Sequence, residues 1–214
     1  MTIGDAKLLP ELEAYVAHRL DEFDQVDEDR KTFLGKTSAY IVSKADDGQP
    51  ARLVFICSHN SRRSHMAQLW AQAAAHHLSI FGVEAFSGGT ETTAFNPRAV
   101  AALRRAGFAI EFFTDGMNPV YEVRYEAEME PIQAFSKVYD EPPNPTEDFA
   151  AIMTCSAADA ACPVVTGADE RIAIPYDDPK NFDGTESEAD KYDERCRQIA
   201  REMLYVFSQV ARRG

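Results

Sequence analysis

Cysteine is scarce in this chain. Four thiols in 214 residues, Cys57, Cys155, Cys162 and Cys196, are too few and too scattered for a secreted disulfide scaffold. No apolar run approaches the roughly 18 residues that mark a transmembrane helix, so no membrane association is expected. Met1–Asp5 lacks the basic-then-apolar opening of a signal peptide. A cytoplasmic, reducing location is the resulting expectation, and there a conspicuous cysteine is catalytic, redox-active or metal-binding. Positive charge is also short. The net charge of −13 argues against nonspecific nucleic-acid binding.

The most informative absence is local. From Gly48 to Val83 there is no Asp or Glu, while the same stretch holds Arg52, Arg62, Arg63, His59, His65, His76 and His77. An acidic protein that clears carboxylates from one stretch can house an anion there.

Periodicity supplies the frame. Leu9, Leu12, Val16, Leu20 and Phe23 fall at helical spacing, and Asp27–Asp29 can cap a second helix through Phe33, Leu34 and Ile41. Residues 1–50 are therefore expected to be a helical extension packed ahead of the main domain, 51–214. Arg52–Ile56 reads as a buried strand, Ser64–Ile80 as a helix, and Val83–Phe86 as a strand closed by Gly88 and Gly89. A helix starting at Pro97 ends at Gly107. Tyr121–Tyr125 and Ile132–Tyr139 are expected to form a hairpin, an insertion near 119–140. Phe149–Thr154 and Arg171–Pro175 are further strands, and a last helix runs from about Glu188 to Arg212. Strands alternating with helices predict an α/β fold, a small parallel sheet with helices on both faces. Ligands in such folds bind beyond the carboxyl ends of the strands. Cys57 and Cys155 each follow a strand and would share that edge.

Strand, loop, helix is also the layout that turns backbone N–H groups toward an anion. The loop here is Cys57-Ser58-His59-Asn60-Ser61-Arg62-Arg63, followed by Ser64. Its successive amides can wrap a tetrahedral oxyanion, and Arg63 adds a fork matching two of the oxygens. The same positive field favours a thiolate at Cys57, making it a nucleophile. Ser64 can hydrogen-bond that thiolate, and Asn60 suits a left-handed turn. Cys-x5-Arg alone is weak, and its context is what gives it meaning.

At these residues the chain resembles a known family. VFICSHNSRRSHMAQLW is similar to the oxyanion loop of the low-molecular-weight protein tyrosine phosphatases, and more so to that of the thioredoxin-coupled arsenate reductases of the same fold. FSGGT and NPRAVAALRRAGF resemble the strand end and helix that follow. The resemblance covers about residues 52–212 and implies a small central parallel sheet flanked by helices.

It also implies roles. Both branches take a general acid from an Asp-Pro pair, here Asp178-Pro179. Cys155-x6-Cys162 after a buried strand resembles the reductases' redox segment. The implied relay begins with Cys57 attacking arsenate. Cys155 then attacks Cys57, and Cys162 carries the disulfide to Cys155–Cys162 for thioredoxin to reduce. The alternative is a phosphatase of the same fold acting on phosphotyrosine or another phosphomonoester, with Cys155 and Cys162 bystanders. A module that only binds oxyanions is a third reading. Lys180 stands where the tyrosine phosphatases usually carry Tyr, which favours reduction.

Some positions depart from the family. Arg62 occupies a position that is often Cys, and Gln68 replaces a glutamate that helps bind potassium in some reductases. No metal or other cofactor is expected. Ser87-Gly88-Gly89 replaces Ser-Ala-Gly, a change read as minor. His59 matches no catalytic position and is read as tuning the local charge or facing solvent. Cys196 falls on the apolar face of the last helix and is read as core.

Overall fold

The computed structural model describes residues 7–161 and 164–213. Two helices come first, α1 (Pro10–Leu20) and α2 (Glu28–Asp46). Asp27 caps α2 by accepting the Arg30 N–H at 2.7 Å, satisfying one of the orphan donors of a helix start.

A four-stranded sheet follows, made of β1 (Ala51–Cys57), β2 (Val83–Gly89), β6 (Phe149–Met153) and β7 (Ala168–Ala173). Its order is β2-β1-β6-β7 and every pairing is parallel. The expectation of a central parallel sheet in an α/β protein therefore holds. Both faces of β1 are covered, which is why Leu53–Ile56 is apolar without alternation.

The covering is unequal. Leu53 and Phe55 face a large core shared with α1, α2, α3 (Arg63–His77), α4 (Pro97–Arg105) and α6 (Glu188–Ala211). Val54 and Ile56 face a small cluster under the short α5 (Ser156–Ala161). The first two helices contribute Leu12, Val16, Leu34 and Ile41 to the large core rather than lying apart from it. Cys196 is buried on α6 as read, where its sulfur accepts the Trp70 indole N–H at 3.3 Å. Burial pushes that thiol up to about 12, leaving it inert.

The expected hairpin is present but differently bounded. β4 (Tyr121–Arg124) pairs antiparallel with β5 (Ile132–Ala134), and β3 (Ala109–Phe112) joins the other edge of β4. β3 carried little signal, because only Ile110 of its four residues is buried. Beyond Ala134 the chain leaves the hairpin. Lys137–Tyr139 runs along Gly89 instead, with hydrogen bonds from Gly89 N to Lys137 O and from Tyr139 N to Gly89 O.

That crossing revises the reading of Gly88 as a minor change. A Cβ on Gly88 would lie 2.3 Å from the Tyr139 Cα. An alanine there is incompatible with the inserted segment in its present position.

Candidate active site

Cys57 is the last residue of β1, and α3 begins six positions later at Arg63. The turn between them needs one left-handed residue, and Asn60 supplies it at φ 43°. The loop carbonyls are drawn outward. Thr90 N bonds Cys57 O, Glu91 N and Thr90 Oγ1 bond Ser58 O, and Thr93 Oγ1 and Ser136 Oγ bond His59 O. Asn96 N bonds Ser61 O. With the carbonyls committed outward, the N–H groups of residues 58–62 have no protein acceptor among the described residues, and they suit an anion. The loop rests directly on Gly89, where a Cβ would sit 2.7 Å from Asn60 N.

Side chains then fix the Cys57 thiol. Ser64 Oγ lies 3.1 Å from the buried Cys57 Sγ and accepts from Asn60 Nδ2 at 2.9 Å. The Ser64 hydroxyl, with its proton not used by Asn60, can donate to the sulfur. Asn60 Oδ1 in turn accepts Lys137 N at 3.0 Å, so the insertion braces the loop from behind.

Arg63 lies between the loop and the segment after β7. Its Nη2 bonds Asp178 Oδ2 at 2.7 Å and its Nη1 bonds Tyr176 O at 2.9 Å, while Nε is buried without a partner. Asp178 caps a short turn over Pro179–Phe182, its Oδ1 accepting Lys180 N at 3.1 Å. A carboxyl group and a guanidinium thus meet beside the loop that holds the thiol.

Arg62 does not turn its side chain into the loop. Its Nε donates to Tyr192 OH at 2.8 Å, and the guanidinium lies 3.7 Å from Asp183 and 3.9 Å from Asp178. His59 is partly exposed and pairs with Glu91 at 2.8 Å, and Ser61 Oγ bonds Ala94 O. The side chains of His59, Ser61 and Arg62 are thus engaged by groups around the loop.

Cys155 follows β6 on the strand next to Cys57. Thr154 ties the strand ends together by donating N–H and Oγ1 to Ile56 O at 2.7 and 2.9 Å. Cys155 is buried. Its sulfur accepts Ala158 N at 3.3 Å and lies 3.6 Å from Ser58 Oγ, the first side chain of the loop. Cys57 and Cys155 share one small cluster as free thiols. Cys162 lies outside the described residues.

Sequence reasoning missed the supporting groups Tyr176, Tyr192, Ser136 and Lys137. Two of them, Tyr176 and Lys137, act through backbone atoms, which leave no residue-type signature. Among the described residues no cluster of three or more His, Cys, Asp or Glu could hold a metal ion. No described helix is long and apolar enough to cross a membrane.

A Cys-x5-Arg loop at the carboxyl edge of a four-stranded parallel sheet, with an Asp-Pro carboxyl opposite, is the architecture of the low-molecular-weight protein tyrosine phosphatases. Two solved phosphatases of that class share the fold. The Vibrio cholerae enzyme aligns with TM-score 0.53 and 12% identity over 77% of this chain and 99% of its own. The enzyme from T. tengcongensis aligns with TM-score 0.50 and 16% identity over 74% and 99%.

Sequence similarity points to one branch. The curated arsenate reductase of Bacillus licheniformis is 29% identical over 159 residues, 74% of this chain and 95% of that protein. That of Bacillus subtilis is 26% identical over 162 residues, 75% and 96%. No family model matches the chain. The chain is thus similar in sequence to curated arsenate reductases over about three quarters of its length, and it shares its fold with low-molecular-weight protein tyrosine phosphatases.

Proposed function

We propose that the protein reduces arsenate to arsenite through a relay of Cys57, Cys155 and Cys162, with a thioredoxin-type dithiol as final reductant. The observation that carries this reading is the second thiol at the oxyanion loop, Cys155 Sγ at 3.6 Å from Ser58 Oγ. Hydrolysis needs one thiol, whereas a two-electron reduction must leave a disulfide.

In the first step the Cys57 thiolate attacks arsenic, and an oxygen leaves as water with the proton supplied by Asp178. The loop amides and Arg63 hold the remaining oxygens. The Cys155 thiolate next attacks Cys57 Sγ. The S–As bond breaks, its electron pair passes to arsenic, arsenite departs, and a Cys57–Cys155 disulfide remains. Cys162 attacks Cys155, which frees the Cys57 thiolate and moves the disulfide to Cys155–Cys162. A dithiol reductant then returns that pair to thiols by exchange.

The test compares arsenate turnover, with thioredoxin and its reductase, against aryl phosphate hydrolysis in wild type and Cys162→Ser. The variant should complete about one turnover and stall while any phosphatase activity survives. Sustained turnover by the variant, or phosphate hydrolysis without arsenate reduction in wild type, overturns the reading.

A further inference from the structure

The two N-terminal helices precede the sheet and carry none of the relay residues, yet one of their side chains grips the segment that leads into the site. Arg30, in the first turn of α2, extends a guanidinium with four distinct contacts. Nε and Nη2 donate to Glu202 Oε2 at 3.0 and 2.7 Å, and Nη1 donates to Pro175 O at 3.1 Å. The group also lies over the Tyr176 ring, 4.7 Å from its centroid. Glu202 is 2% exposed on α6 and is itself fixed by Gln198 Nε2 at 2.9 Å.

The dipeptide that Arg30 grips is where the machinery converges. Tyr176 O accepts Arg63 Nη1 at 2.9 Å. Tyr176 N donates to Thr154 O at 3.0 Å, one residue before Cys155. Asp178 follows two residues later. A shift of this dipeptide would therefore move the oxyanion arginine, the acid and the strand end of the second thiol together.

We propose that Arg30 is a positioning residue of the active site, and that the N-terminal helices serve the reaction by clamping Pro175–Tyr176. Arg30 touches neither substrate nor reacting atoms. It acts by fixing the Pro175 carbonyl and the Tyr176 ring, and through them the Tyr176 carbonyl that Arg63 bonds. The fork geometry of arginine is required, because one ammonium cannot hold Glu202 and Pro175 O and also stack on Tyr176. This inference rests on the oxyanion-site reading above.

Two variants separate positioning from folding. Arg30→Lys keeps a cation against Glu202. Arg30→Met with Glu202→Leu removes the buried pair together, which leaves no unpaired charge. Each is checked for cooperative melting and then assayed well below its melting temperature. We expect KM for arsenate to rise about 10-fold and kcat to fall by a similar factor in the double variant, with Arg30→Lys intermediate. In parallel, protection of Cys57 from iodoacetamide by arsenate or inorganic phosphate should require about 10-fold more anion. A merely structural role would lower the melting temperature and leave KM, kcat and protection at wild-type values, and that result overturns the proposal. If wild type fails to reduce arsenate, the protection assay still tests the clamp, so the two failures are distinguishable.

Discussion

Arg63 and Asp178 form an ion pair with Nη2 and Oδ2 at 2.7 Å, beside the loop that holds Cys57. The arginine that should grip an oxyanion is thus engaged by the carboxyl group that should release the leaving oxygen. On the proposed reading, an entering oxyanion would compete with Asp178 for the guanidinium, and its binding would free the carboxyl group to face the substrate.

Asp178→Asn separates the two functions of that contact. The amide still accepts a hydrogen bond from Arg63 but no longer offers a charge or an ionisable proton. Affinity for inorganic phosphate or arsenate should rise several-fold, because a charged competitor and a like-charge neighbour are removed. The rate constant for arsenite formation should fall by about 10²–10⁴. Isothermal binding and single-turnover assays measure the two effects. An unchanged rate would show that Asp178 is not the acid.

The sequence made the oxyanion loop legible because its chemistry is contiguous. Cys57, Asn60, Arg63 and Ser64 lie within eight positions, and the turn, fork and hydroxyl each follow from residue type. Asp178 was reachable through its Asp-Pro pair. Arg30, Tyr176, Tyr192 and Ser136 were not, because they arrive by packing across long stretches of chain. The Arg62–Tyr192 bond spans 130 positions and the Arg30–Glu202 pair 172. The inserted sheet was half legible. β4 and β5 carry buried alternation, whereas β3 exposes three of its four residues and resembles a loop until its partner is in place.

Gly88 shows how a small departure records a tertiary event. Gly88→Ala would push a methyl group into the Tyr139 backbone, 2.3 Å from its Cα. Backbone cannot yield as a side-chain tip can, so we expect a loss of about 1–3 kcal/mol. Displacement of the 137–139 segment should also loosen Lys137 N from Asn60 Oδ1 and raise KM for arsenate. Gly35→Ala is the control. It lies within α2 with nothing within 4 Å of the added carbon, and should stabilise by roughly 0.5–1 kcal/mol. Equal melting temperatures for the two variants would contradict the packing argument.

Two buried bases behind the loop, His65 and Lys137, make the stability of the fold depend on pH. His65 is fully buried, stacks on Phe95 at 4.1 Å and bonds Ser87 Oγ at 3.2 Å. Burial, reinforced by the Lys137 charge, holds its imidazole well below the usual 6.5. Lys137 is 5% exposed, and burial pulls its ammonium from 10.5 down to about 8. Both shifts are downward, so in each case the unfolded chain binds more protons between the two values and stability rises with pH across that window. For His65 the loss appears as pH falls below 6.5. For Lys137 the penalty of burying the charge is complete below about 8 and is relieved between about 8 and 10.5. Its full size is roughly 3 kcal/mol, from 1.36 kcal/mol per pKa unit. Urea unfolding of wild type and Lys137→Met at pH 7 to 10.5 measures it as a difference, which cancels other alkaline titrations. Lys137→Met should gain most over wild type near pH 7, with the gap closing as pH rises. A pH-independent gap would mean that the lysine is not charged against its surroundings.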